Sequence, residues 1–73
     1  HHWDDPSITA QVRFELLQRK IHVGPRLHIR TRQGVVTLTG RAFNQDEKEL
    51  IARSARAAPG VREVVDLLNV RGQ

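Results

Sequence analysis

The 73-residue sequence has no cysteine, and aromatic residues make up only 4% of it. Without cysteine no disulfide can staple the chain, and nothing marks the redox compartment in which it works. No apolar run approaches the ~20 residues that a membrane-spanning helix needs. No leader with a basic start, an apolar stretch and a cleavage site is present, so the sequence is expected to be a cytoplasmic chain or a mature, trimmed domain. Internal repeats and low-complexity tracts are also missing. A chain of this length buries only about 60% of its unfolded surface. That is enough for one filled core, and it excludes a deep, dry active site beside it.

Charge is what the chain has in excess. Twelve Lys and Arg, mostly Arg, stand against eight Asp and Glu, for a net charge of +4. This balance favours acidic partners such as phosphate backbones, anionic headgroups and acidic proteins. The basic residues are spread along the chain, so a merely solvated surface is the competing reading. Residues 1–4, opening with His1-His2, read as a tag remnant or flexible N-terminus, and residues 5–71 read as one domain.

Residues 5–20 have the marks of a helix. Asp5 can accept the free amide hydrogens of the first turn, and Pro6 suits the first helical position because its missing donor costs nothing there. Ile8, Val12 and Leu16 recur at four-residue spacing on one face, while Ala10, Phe14 and Leu17 lie nearly opposite. Residues 21–26 form a connector broken by Gly24-Pro25. The run from Leu27 to Gly40 then reads as strand, turn, strand. Gln33-Gly34 makes a two-residue turn in which Gly34 can take positive φ. Asn44 with Glu47 three residues later resembles a capping box for a second helix, whose stripe is Leu50, Ile51, Ser54, Ala55 and Ala58. Glu49 and Arg53 are spaced for a surface ion pair. Pro59-Gly60 ends that helix, and a third strand covers about Val61–Val70.

A strand, a crossover helix and a parallel strand in one sheet are almost always joined right-handedly. The second and third strands should therefore be parallel and the hairpin antiparallel. The expected fold class is α+β, in the order αββαβ, with a three-stranded mixed sheet and two helices packed on one face. That face takes Leu27, Ile29, Val36, Leu38, Val64, Leu68 and Val70. Nothing in the chain remains to cover the other face, which takes His28, Arg30, Arg32, Val35, Thr37, Thr39, Arg41, Val65, Leu67, Asn69 and Arg71 by alternation.

The order and spacing of these features resemble the BON domain, the bacterial OsmY and nodulation module. The resemblance rests on Asp5 with Ile8, Val12 and Leu16, on the run Gly34-Val35-Val36-Thr37-Leu38-Thr39-Gly40, and on the ending Gly60, Val61, Val64, Asp66, Leu68 and Val70. It covers about residues 5–70. It implies an αββαβ fold in a protein of the bacterial envelope, periplasmic or outer-membrane associated. It also implies binding of phospholipid or another envelope surface, no catalytic residues, and a place within a larger protein. Asp66 stands where the family usually has Asn, a departure expected to touch a turn or sheet hydrogen bond rather than function.

The candidate lipid- or partner-binding residues are His28, Arg30, Arg32, Arg41 and Arg71 on the uncovered sheet face, and Phe14 on the first helix. A Lys or Arg close to an anionic membrane contributes ~1 kcal/mol, and its aliphatic stem can lie along the interface. The alternatives are an ordinary solvated sheet or one capped by a neighbouring domain. For Phe14, the alternative is that it folds over the sheet edge into the core. Trp3 is either an interfacial anchor or a loose terminal residue. No cofactor or metal is expected, because His22 and His28 lack ligand spacing and a third partner. No enzyme is expected either: Asp4-Asp5 and Asp46-Glu47 are acids at helix starts, and Ser7 and Ser54 have no nearby base. The expected function is a non-catalytic module that associates with anionic phospholipid. A protein–protein adaptor in a larger envelope or secretion protein competes with it. An RNA-binding KH-like module ranks below both, since no strand carries an aromatic for base stacking and the Gly-x-x-Gly clamp is missing.

Overall fold

The computed structural model describes residues 5–21 and 24–70. The expectations for His1, His2, Trp3, Asp4, His22 and Arg71 therefore fall outside the described residues. The elements are α1 (Asp5–Gln18), β1 (Leu27–Arg32), β2 (Val35–Ala42), α2 (Gln45–Ala57) and β3 (Glu63–Val70). The sheet order is β1-β2-β3, with β1 antiparallel and β3 parallel to β2. This is the expected α+β arrangement.

One apolar cluster holds the layers together. It joins Ile8, Val12 and Leu16 of α1 and Ile51 and Ala55 of α2 to Leu27, Val36, Leu38 and Leu68 of the sheet. Both helices therefore cover the same sheet face. Small residues at 52, 55 and 58 let α2 sit close. Ser54 is fully buried among them, and its hydroxyl donates to the Leu50 carbonyl at 2.7 Å, so no polar group is stranded.

Helix α1 ends two residues before the expected position. The amide of Lys20 donates to the Leu17 carbonyl and that of Ile21 to the Leu16 carbonyl, with Lys20 at φ 60°. This is a Schellman stop in which a lysine occupies the left-handed position usually filled by glycine. Ile21 then turns back into the core.

The hairpin turn is tight because Gln33 (φ 51°) and Gly34 (φ 81°) both adopt left-handed geometry, the type I′ form whose twist suits flanking strands. Asp5 does not serve the first turn of its own helix as expected. Its carboxylate reaches across to the hairpin and accepts the amide hydrogens of Gln33 at 3.1 Å and Gly34 at 3.3 Å. Those two amides point away from the strand ladder and would otherwise lack a protein partner. On the other side of the turn, the Arg62 amide donates to the Gly34 carbonyl at 2.8 Å. The turn thus joins the start of α1 to the start of β3.

Gly40, at the far end of the same motif, answers a different demand. It has φ 117°, and a Cβ there would stand 2.0 Å from the Arg26 carbonyl oxygen. Only a residue without a side chain lets the connector into β1 pass this close. Asp66 sits on the helix-covered side of β3, and its Oδ1 accepts the Leu68 amide at 3.1 Å. The departure at this position thus keeps an acceptor that an asparagine would also supply.

Candidate functional site

The uncovered sheet face is organised by register. From the hairpin end, its rows across the three strands are Arg32–Val35–Glu63, Arg30–Thr37–Val65 and His28–Thr39–Leu67, followed by the pair Arg41–Asn69. The columns therefore differ in chemistry. The β1 column is basic, the β2 column from 37 to 39 carries hydroxyls, and the β3 column is apolar at Val65 and Leu67, between Glu63 and Asn69. Neighbouring strands lie ~4.8 Å apart, so the basic and apolar columns are separated by roughly 10 Å. Leu67 is 57% exposed, and Val65 is half-buried. His28, Arg30 and Arg32 are exposed. A shallow cavity of about 330 Å³ is lined by His28, Ile29, Arg30, Thr37 and Thr39.

The arginines near this face have different fates. Arg26, just before β1, is spent inside the chain. Its guanidinium meets the Glu47 carboxylate in two hydrogen bonds, at 2.9 and 3.3 Å, and donates to the Arg41 carbonyl at 2.8 Å. It also lies 4.1 Å above the centre of the Phe43 ring. Glu47 in turn accepts the Phe43 amide at 2.9 Å, while its own amide donates to Asn44 Oδ1 at 2.7 Å. The expected capping box is therefore present, with its return bond moved one residue back, from Asn44 to Phe43. Arg30 and Arg32 have no such partner among the described residues. The Glu49–Arg53 ion pair does not form; among the described residues the pairs are Arg19–Glu15 and Arg26–Glu47.

Of the residues singled out from sequence, His28, Arg30 and Arg32 stand together in one column. Arg41 lies at the opposite end, where it lines a separate cavity of about 230 Å³ with Arg26, Ala42 and Phe43. Phe14 is not brought to this face. It is 52% exposed on the outer side of α1, next to Leu17 at 66%, and α1 packs against the other side of the sheet. Phe14 therefore does not fold into the core. Thr37 and Thr39 were placed on this face by alternation but not singled out; the antiparallel register sets them opposite Arg30 and His28, and the pairing was already implied by the two-residue turn. Phe43, exposed under Arg26, had no signal beyond being aromatic.

Among the described residues no cluster of three or more His, Asp or Glu could hold a metal ion, and no helix is long and apolar enough to cross a membrane. The model of the BON domain matches residues 4–72. The chain is also similar to Osmotically-inducible protein Y of Escherichia coli (strain K12), with 35% identity over 68 residues that make up 93% of this chain and 34% of that protein. It thus spans about a third of the length of this curated relative. With the motif glycines, the helix spacing and the strand order all in place, the chain belongs to the BON-domain family.

Proposed function

We propose that the domain is a non-catalytic binding module of a bacterial envelope protein, periplasmic or outer-membrane associated, and that it associates with anionic phospholipid surfaces through its open sheet face. One observation carries this reading. Among the described residues nothing packs on this sheet face, and Arg30 and Arg32 stand on it with His28 without an ion-pair partner, while Arg26 close by is neutralised internally. Membership in the family supports an envelope role, and the name of the E. coli relative ties that protein to osmotic induction. The aliphatic stems of the arginines and the exposed Leu67 give the face the amphipathic character that suits a headgroup region.

The test is binding of the isotope-labelled chain to phosphatidylglycerol vesicles, phosphatidylcholine vesicles and single-stranded RNA, read by amide shifts and co-sedimentation. Binding to the anionic vesicles alone, with shifts on β1 and β2, is the expected result. The double variant Arg30→Glu, Arg32→Glu should lose at least about thirty-fold in affinity, since each cation near the membrane contributes ~1 kcal/mol. Raised salt should weaken binding in parallel. Equal affinity of the variant would remove these arginines from the site. Stronger binding of RNA would replace lipid as the partner.

The second reading, an adaptor that docks another envelope protein, is favoured by the apolar half of the same face, Val65 and Leu67. No response to either vesicle would put it first.

A further inference from the structure

We propose that the open face contains a discrete subsite for a phosphate ester, built by His28, Arg30, Thr37 and Thr39. The inference rests on the reading of this face as the binding surface, but it does not depend on a membrane being the partner. Arg30 pairs directly with Thr37 and His28 with Thr39 in the antiparallel register. Opposed residues of this kind have Cα atoms ~5.5 Å apart. Same-face neighbours along a strand are ~6.8 Å apart. The four side chains therefore stand at the corners of a small rectangle and rise from the same side of the sheet. They line one cavity of about 330 Å³.

Among the described residues, none of the four side chains has a hydrogen-bond or ion-pair partner. Every one of them can donate. The guanidinium offers a planar fork that matches two phosphate oxygens. Each threonine offers a hydroxyl, and the imidazole offers a ring N–H. The carboxylate on this face, Glu63, lies in the next row and two strands from Arg30, opposite Val35. A tetrahedral anion with three or four acceptor oxygens is the ligand that satisfies such a donor set. The column beyond the threonines, Val65 and Leu67, is apolar. A substituent esterified to the phosphate would leave the rectangle toward it. The chemical class is therefore an organic phosphate ester, and both a glycerophospholipid headgroup and a soluble glycerol phosphate belong to it. A diffuse field of arginines would use the charge of Arg30 but would have no need of the two hydroxyls.

The hydroxyls provide the test. The double variant Thr37→Val, Thr39→Val keeps every charge and retains β-branched residues that suit a strand. Its melting temperature checks that it folds. Wild-type and variant chains are titrated with sn-glycerol 3-phosphate and, separately, with phosphatidylglycerol vesicles, following backbone amides. The subsite predicts wild-type shifts centred on residues 28, 30, 37 and 39 with glycerol phosphate, and at least a tenfold loss of affinity in the variant. Equal affinity of wild type and variant would overturn the subsite, even if vesicle binding persists and the membrane reading stands. Shifts spread over all exposed arginines would overturn it too. Glycerol phosphate binding at these residues without vesicle binding would support the subsite and defeat the membrane reading.

Discussion

The carboxylate of Asp5 and the amide of Gly34 are 29 residues apart in sequence and hydrogen-bonded at 3.3 Å, with the Gln33 amide bonded to the same carboxylate at 3.1 Å. The first residue of α1 thus holds the hairpin turn against the helix layer. Hydrogen bonds to a charged acceptor are worth more than neutral ones, and removing the acceptor leaves the part-buried Gly34 amide without its partner, while the exposed Gln33 amide turns to water. Asp5→Ala should destabilise the domain by about 2 kcal/mol. That is a drop of roughly 8–16 °C in melting temperature for a chain of this size. Asp5→Asn keeps one acceptor and should cost less. An unchanged midpoint for Asp5→Ala would show that the bond is not held in solution.

The two glycines that bracket the β2 motif should respond differently to a methyl group. At Gly40 the added Cβ meets backbone, the Arg26 carbonyl oxygen at 2.0 Å. At Gly34 it meets the Cγ and Cδ of Arg62 at 2.7 Å, and that side chain can swing away. Gly34→Ala should cost about 1–2 kcal/mol for left-handed backbone. Gly40→Ala should cost more than Gly34→Ala and should abolish cooperative unfolding if the connector cannot move. Gly24→Ala, with nothing within 4 Å of the added atom, should be neutral within about 0.5 kcal/mol. Chemical denaturation of the three variants gives the ranking, and an inverted order for positions 34 and 40 would contradict the close approach.

Among the described residues, two non-glycine residues sit in left-handed backbone, Lys20 at φ 60° and Gln33 at φ 51°. Both are places where substitution should stabilise. Lys20→Gly at the helix stop should gain about 1 kcal/mol, and Gln33→Asn in the type I′ turn a smaller amount. Thermal melts of the single variants and of the pair check this. The two sites share no element, so the gains should add.

Arg26 and Arg30 carry the same charge, but the structure uses them for different ends. Arg26→Gln removes the bonds to Glu47 and the Arg41 carbonyl and the stacking on Phe43, and should cost about 1–2 kcal/mol of stability. Its effect on binding to phosphatidylglycerol vesicles should stay within about twofold. Arg30→Gln should show the reverse pattern, with stability held within about 0.5 kcal/mol. Its vesicle affinity should fall about fivefold. Equal losses of vesicle affinity for the two variants would mean that net charge, rather than position on the face, governs association.

The order of elements, the strand directions and both sheet faces were readable before any coordinates. They depend on local signals: a four-residue apolar period at Ile8, Val12 and Leu16, a two-residue turn ending in Gly34, strict alternation in β2, and the handedness of a crossover. Alternation along β1 puts His28, Arg30 and Arg32 on one face, and the structure keeps them there in one column. The structure differs at the end of α1, where Lys20 takes the left-handed stop two residues early, and in the partners of individual side chains. Asp5 was assigned to its own helix because capping is a local pattern, yet two nearby turn amides compete for the same carboxylate. Glu49 and Arg53 had suitable spacing, but an exposed pair of this kind gains little by forming.

The amino-acid sequence by itself determined a two-layer domain with one covered and one bare sheet face, because periodicity and turn chemistry act over a few residues. It also marked Gly34 as the turn residue able to take positive φ, while the demand at Gly40 shows only in the close approach of the Arg26 carbonyl. Only the tertiary structure decided that Asp5 holds the hairpin, that Arg26 is spent on Glu47 while Arg30 stays free, and that Phe14 faces away from the arginines. The Asp5 and Arg26 outcomes are competitions between partners from distant parts of the chain, won by whichever the packed core brings within hydrogen-bond reach, and Phe14 follows from the core taking the stripe of Ile8, Val12 and Leu16 instead.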